Sequence, residues 1–316
     1  MRGPALGRRR RSWPFGILVA ACVVMLVVLL GLGDYLALDH RLGRIDITPT
    51  SGAGETWVIA GSDSRADLPA GTNVYGTTAD APGQRADVVL VVHKQAGKTS
   101  ILSLPRDLLV WPKTSTPARL TLTLQQPQML VDSLCNLGIP TNHLAMVGMA
   151  GFAKVIDALG GVTVTVPYPV TDAYTGLEIT TAGTQKLTGV QALALVRSRH
   201  PRQLINGAWV QAADAAGTED RTEWAGRVFH ATLTQAKRAA LNPIRAQALA
   251  WAAAGALRTD PGTSLADLAR IWPANATIMT VPADEAPGTY IAEVTTATRD
   301  ALSAAGFAPG NCRPHQ

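Results

Sequence analysis

The chain has 316 residues, 47% of them apolar and 16% charged. That composition excludes a disordered chain and supplies a core large enough for one big domain or two small ones. The formal net charge of +5 says little about partners, because much of it sits in the basic cluster Arg8 to Arg11; no nucleic-acid partner is expected.

Residues 1–12 read as a cytoplasmic basic tip. Residues 13–33 carry no charge and are almost wholly aliphatic ("GILVAACVVMLVVLLGLG"). A run of ~20 apolar residues is long enough to cross a ~30 Å hydrocarbon core as a helix. The preceding arginines predict a single-pass anchor with a cytoplasmic N-terminus and everything after Asp34 outside. A cleaved signal peptide fits less well, because no small-x-small site follows the apolar run. Residues 34–54 read as a juxtamembrane linker, 55–310 as one extracytoplasmic domain and 311–316 as a tail. Of the three cysteines, Cys22 lies in the span. Cys135 and Cys312 would share an oxidising compartment, where a disulfide is expected, with two buried thiols as the alternative.

"TWVIAGSDSR" predicts a strand running into a polar turn at Asp63. "ADVVLVVHK" and "TSILSLP" predict a hairpin turning at Gly97, with His93 at a strand end on the surface. Helical spacing follows at residues 124–137 and 151–159, the latter closed by Gly160-Gly161. "VTVTVP" is a strand. A helix from about Gly189 is expected to halt near His200, ahead of Pro201. Asn206-Gly207 marks a type I′ hairpin, and a charged helix is expected from about Asp220. Ala-rich helices extend to Leu268, "TIMTVPA" is a late strand, and residues 293–305 form a last helix. Strands alternating with helices predict an α/β class, a central mixed sheet covered on both faces.

Four clusters place charges at the ends of apolar elements: Asp63 and Arg65, Arg85 and Asp87, Arg106 and Asp107, Arg197 and Arg199. A single arginine after a strand is ordinarily a solvated rim residue. Several brought together repel one another unless an anion joins them, and the guanidinium fork suits phosphate oxygens. Two carboxylates beside a phosphate site suit Mg²⁺. "AGKTS" at 96–100 fails as a nucleotide phosphate loop, because Val92 stands where a glycine is needed and a strand follows. No convincing Ser-His-Asp or Cys-His set is present. His200 flanks Arg199, where it can assist, and Asn275 fits a glycosylation sequon by chance alone.

The ordered motifs "GSDSR", "RADVVLVV", "SILSLPRD", "GFAKVIDALGGVTVTVP" and "GTQKLTGVQALALVRSRH" resemble the LytR-CpsA-Psr family of bacterial cell-wall ligases, over roughly residues 56–237. The resemblance implies an apolar tunnel for a polyprenyl chain. It also implies transfer of a glycopolymer from a polyprenyl-pyrophosphate carrier to peptidoglycan, making a phosphodiester. Carried over by motif, Asp63 and Asp87 would hold Mg²⁺ (or Mn²⁺). Arg106, Arg197 and Arg199 would be catalytic and grip the pyrophosphate, supported by Arg65, Arg85 and Arg227. The chain departs from the family at "DRTEWAGR", where Glu223 replaces an expected arginine. Arg221 or Arg227 would then serve, or Glu223 and Arg227 form a surface pair. A polyprenyl-pyrophosphate hydrolase and a catalytically decayed lipid-binding protein remain alternatives.

Overall fold

The computed structural model describes residues 13–69, 73–112, 116–211, 214–271, 278–286 and 289–314; the side chains of 13–23, 27, 214–223, 269 and 314 lie outside that description. A central sheet contains seven strands: β1 (Gly43–Arg44), β2 (Glu55–Ser62), β3 (Ala86–Gln95), β4 (Lys98–Leu104), β5 (His143–Val147), β6 (Leu257–Thr259) and β7 (Ile278–Thr280). Their spatial order is β1-β6-β5-β2-β3-β4-β7. The β1–β6, β5–β2 and β4–β7 pairs are parallel and the others antiparallel, so the sheet is mixed, as expected. The β3–β4 hairpin turns through Ala96 and Gly97, both at positive φ, the geometry of the type I′ turn that matches strand twist.

Among the described residues the helices of six residues or more are α1 (Trp13–Arg41), α2 (Pro127–Asn136), α3 (Met149–Ala158), α4 (Gly189–Arg197), α5 (Asp214–Ala240), α6 (Pro243–Ala256), α7 (Leu265–Arg270) and α8 (Thr296–Ala304). On one sheet face Val58, Ala60, Val89, Val91, Leu102 and Leu104 pack with Leu130 and Leu134 of α2 and Leu302 of α8. On the other, Trp57, Val92 and Ile101 are sealed by Ile271 and Leu268. A second core joins α3, α4 and α5 to the strands Val162–Val166, Val170–Asp172 and Leu177–Ile179. α3 and α4 cross closely: a Cβ at Gly189 would lie 2.2 Å from the Ala153 carbonyl oxygen. The Gly189 amide donates to Asp157 Oδ1 at 2.7 Å. The "DALGG" and "LTG" motifs therefore meet, and α4 is docked at its first residue.

Several expectations are corrected. The 34–54 segment is not a free linker: α1 continues to Arg41, Gly43–Arg44 pairs with the sheet, and Thr50–Ser51 pairs with Arg313–Pro314. The disulfide expectation holds: Cys135 and Cys312 are bonded, with Cα atoms 5.2 Å apart, which ties the tail at Cys312 to α2. The charged helix begins at Asp214 rather than Asp220, and α4 stops at Arg197, three residues before His200. β6 interrupts the run read as helical. His93 is buried, because Thr56 Oγ1 meets its Nδ1 at 2.9 Å and Phe307 packs on its ring. Residues 1–12 and Asn275 lie outside the described residues. Among the described residues no helix is long and apolar enough to cross a membrane; the side chains of the first half of the expected 13–33 span are not among them.

Candidate functional site

Strand direction assembles the site. β2 and β4 run antiparallel to β3, so Asp63 after β2, Asp87 at the start of β3 and Arg106 after β4 all lie along one edge. A bulge sets the aim of Asp87. Gly61 pairs with Val88 and Ser62 with Ala86, leaving Asp87 as the extra residue. Ala86, Val89 and Val91 all belong to the same dry core. The inserted residue turns the Asp87 side chain out of that face, which is how bulges re-aim side chains beside active sites.

Three guanidinium groups converge on Asp87. Arg106 Nη1 donates to Oδ1 in a short contact, Arg199 Nη2 lies 3.3 Å from Oδ1, and Arg197 Nη1 lies 3.7 Å from Oδ2. Arg106 Nε also donates to Asp107 Oδ2 at 3.1 Å, and Arg119 Nη1 reaches Asp107 Oδ1 at 3.2 Å. Burial opposes the charge of Arg106, but Asp87 and Asp107 together raise its pKa above the ordinary guanidinium value. Arg199 shows the opposite balance. Burial, and then repulsion from Arg106 and Arg197, lower its pKa despite Asp87. The edge is thus rich in positive charge that an anion would relieve.

Asp63 is held apart by Arg85, whose backbone N donates to Oδ1 at 2.7 Å and whose Nε donates to Oδ2 at 2.9 Å. Arg65 approaches the loop at Gly76 and Asp80, with its Nε buried and unpartnered. Arg227, on α5, donates to the Thr165 carbonyl at 3.0 Å and lies over the Trp224 ring. Arg221 and Glu223 have side chains outside the described residues. His200 is exposed, and its ring meets Tyr174 edge-on. The sequence reading missed Arg119, which lay in no motif, and Tyr75. The Tyr75 ring lies 4.7 Å under the Arg197 guanidinium, and its hydroxyl is buried without a partner. Burial raises the Tyr75 pKa, partly offset by Arg197.

Asp63 and Asp87 offer the oxygen chemistry that Mg²⁺ takes from one or two carboxylates while sharing phosphate oxygens and water. No group of three or more His, Cys, Asp or Glu gathers as a cation cage among the described residues.

The surface beneath the cluster differs on the two sheet faces. On one, Val89, Leu108, Leu120 and Leu124 are fully buried. On the other, Gly61, Val88 and Val147 are half-buried and pair in register, and the half-buried Ile59 and Ser103 flank the buried Leu90. A largely apolar strip thus leads along that face towards the charged edge.

A profile of the LytR_cpsA_psr family matches residues 44–272. The chain belongs to the LytR_cpsA_psr family. It is 31% identical over 288 residues to a probable cell wall biosynthesis protein, LcpB, of Corynebacterium glutamicum, spanning 84% of this chain and 64% of that protein. It is 34% identical over 113 residues to TagU of Halalkalibacterium halodurans, described as a polyisoprenyl-teichoic acid–peptidoglycan teichoic acid transferase; that match covers 34% of this chain and 33% of TagU. The chain thus spans less than two thirds of these relatives. Among solved structures, a LytR-Csp2A-Psr enzyme from Actinomyces oris superposes with a TM-score of 0.74 at 38% identity, covering 87% of this chain and 99% of that one. The matched segment runs from β1 past α7 and so contains every arginine and aspartate of the charged edge.

Proposed function

We propose that this LytR_cpsA_psr protein is a membrane-anchored phosphotransferase that moves a glycopolymer from a polyprenyl-pyrophosphate carrier to peptidoglycan. The convergence of Arg106, Arg197 and Arg199 on the single carboxylate of Asp87 carries this reading. A pyrophosphate supplies the negative charge this edge lacks. The half-buried strip of Ile59, Gly61 and Val88 suits the first isoprene units beside it. The names of the relatives, cell wall biosynthesis and teichoic acid transfer, point the same way. The exposed aliphatic side chains of α1, including Leu26, Leu29 and Leu30, support an anchor in a bilayer with the domain outside.

In this mechanism the acceptor hydroxyl attacks the glycan-bearing phosphorus. Its proton passes to solvent water, and the bridging P–O bond breaks so that the bridging oxygen leaves with polyprenyl phosphate. Arg106 and Arg199 hold the departing phosphate oxygens, where charge grows as the bond breaks. Arg197 is kept over Tyr75 and orients the pyrophosphate. Asp63 and Asp87 would hold Mg²⁺ (or Mn²⁺), which would neutralise charge on the phosphate oxygens when bound. Arg85 keeps Asp63 oriented.

The test is to incubate the protein with polyprenyl-pyrophosphate glycan, Mg²⁺ and peptidoglycan fragments, and to analyse the products by mass spectrometry. A glycan–peptidoglycan phosphodiester supports the reading. Glycan phosphate as the sole product would convert it to a hydrolase, and unchanged substrate to a lipid-binding protein.

A further inference from the structure

We propose that the buried carboxylate of Asp172 is a positioning group: it ends α4 at Arg197 and turns the chain so that Arg197 and Arg199 meet Asp87 from one side. The inference rests on the reading of those arginines as pyrophosphate ligands.

Asp172 is the last residue of the strand Val170–Asp172 and has no solvent exposure. A buried carboxylate is costly unless hydrogen bonds satisfy it. Here Oδ2 accepts from Ser198 Oγ at 2.7 Å, from the Arg199 amide at 3.0 Å and from the His200 amide at 3.0 Å. Oδ1 accepts from the Tyr174 amide at 2.9 Å. Three of these donors come from the tripeptide directly after α4.

Their capture explains where the helix stops. Were α4 to continue, the amides of residues 199 and 200 would bond to the carbonyls four residues earlier. They bond to Asp172 instead, and Ser198 adopts φ −59° and ψ 123°, outside the helical region. Pro201 restricts His200 and would crowd the Arg197 carbonyl within a helix, but it does not hold the Arg199 and His200 amides, which Asp172 captures.

The break has a geometric result. Two residues apart on a helix point away from each other, so a continued α4 would separate Arg197 from Arg199. An extended residue between them places both on one side. Arg197 Nη1 and Arg199 Nη2 accordingly reach the two oxygens of the same Asp87 carboxylate, at 3.7 and 3.3 Å. Ser198, almost fully buried, points the other way, into Asp172.

The experiment uses the full chain with Asp172→Ala and Asp172→Asn, read by crystal structure and by transfer rate. In Asp172→Ala, α4 is expected to extend beyond Arg197 and the Arg199–Asp87 pair to be lost. Transfer should fall ~10–100-fold, the range for groups that orient a ligand-bearing residue. Asp172→Asn keeps one acceptor oxygen but sets an NH₂ against a donor; it should fold and lose less. In an Arg199→Ala background the Asp172→Asn loss should shrink several-fold, because the two act through one another. An unmoved Arg199–Asp87 pair in both variants overturns the inference, as does a loss that multiplies fully with Arg199→Ala. Should Asp172→Ala not fold, Asp172→Asn decides by the same measurements. A wild-type protein without transfer overturns the proposed function alone, since the crystal structures still decide the positioning.

Discussion

Replacing Arg106 by Lys separates charge from geometry at the centre of the charged edge. Arg106 spans two carboxylates, Asp87 through Nη1 and Asp107 through Nε. A lysine carries one compact ammonium and cannot present that fork. The stability cost is small, because neither carboxylate is orphaned: Asp87 keeps Arg197 and Arg199, and Asp107 keeps Arg119. With the pairs part-exposed, the change should be no more than about 1 kcal/mol, or a few degrees in Tm. Transfer should fall far more. Losing one preorganised donor to developing negative charge costs ~10²–10³ in rate, or roughly 3–4 kcal/mol. Thermal melts and initial rates on the same preparation provide the comparison. Near-wild-type transfer by Arg106→Lys would sink the clamp assignment and leave Arg106 as a structural ion-pair partner of Asp87 and Asp107.

Asp63→Asn should lose transfer but regain part of it in excess Mg²⁺, whereas Arg106→Lys should gain nothing; equal rescue in a Mg²⁺ titration would refute the division of roles. Replacing Cys135 and Cys312 by serine opens a loop with a sequence separation of 177, for which chain entropy predicts at most about 5 kcal/mol. Urea melts should show a loss of about 2–5 kcal/mol, and one under about 1 kcal/mol would count against that account. Gly189→Ala forces the α3–α4 crossing apart and should cost roughly 1–3 kcal/mol, with an unchanged Tm as the contrary result. His93 has its pKa lowered, mainly by burial. The unfolded chain therefore binds its proton more tightly, so stability is full above about pH 6.5 and falls as the pH drops below it. His93→Gln should flatten that acid limb of the Tm profile, and an identical limb would exclude His93 as its source.

The strands were legible because β-branched runs end at glycine turns or at charges, and the site arginines because they sit at those ends in the family's order. What was not legible depended on partners distant in sequence. His93 reads as a strand end until Thr56 and Phe307 enclose it. α4 reads through to His200 until Asp172, 27 residues before Arg199, takes its amides. β6 has three residues, too few for a periodic signal inside an Ala-rich stretch. Tyr75 lay in a Gly- and Thr-rich loop, where nothing marks an aromatic as the support of an arginine. Arg227 was placed by motif spacing, and the structure holds it against the Thr165 carbonyl and the Trp224 ring.

The bulge at Asp87 also makes the two ends of β3 unequal in their tolerance of length changes. Strict alternation from Val91 and Val89 would point residue 87 into the dry core. A deletion at residues 86–88 removes the offset and drives a charge inward or pulls Ala86 out of its place. At the other end, Ala96 and Gly97 are exposed and only join β3 to β4. An added residue there lengthens a surface loop, at a cost that grows slowly with loop size. One strand thus carries a site where an insertion is absorbed and, about ten residues away, one where a single step dismantles the charged edge.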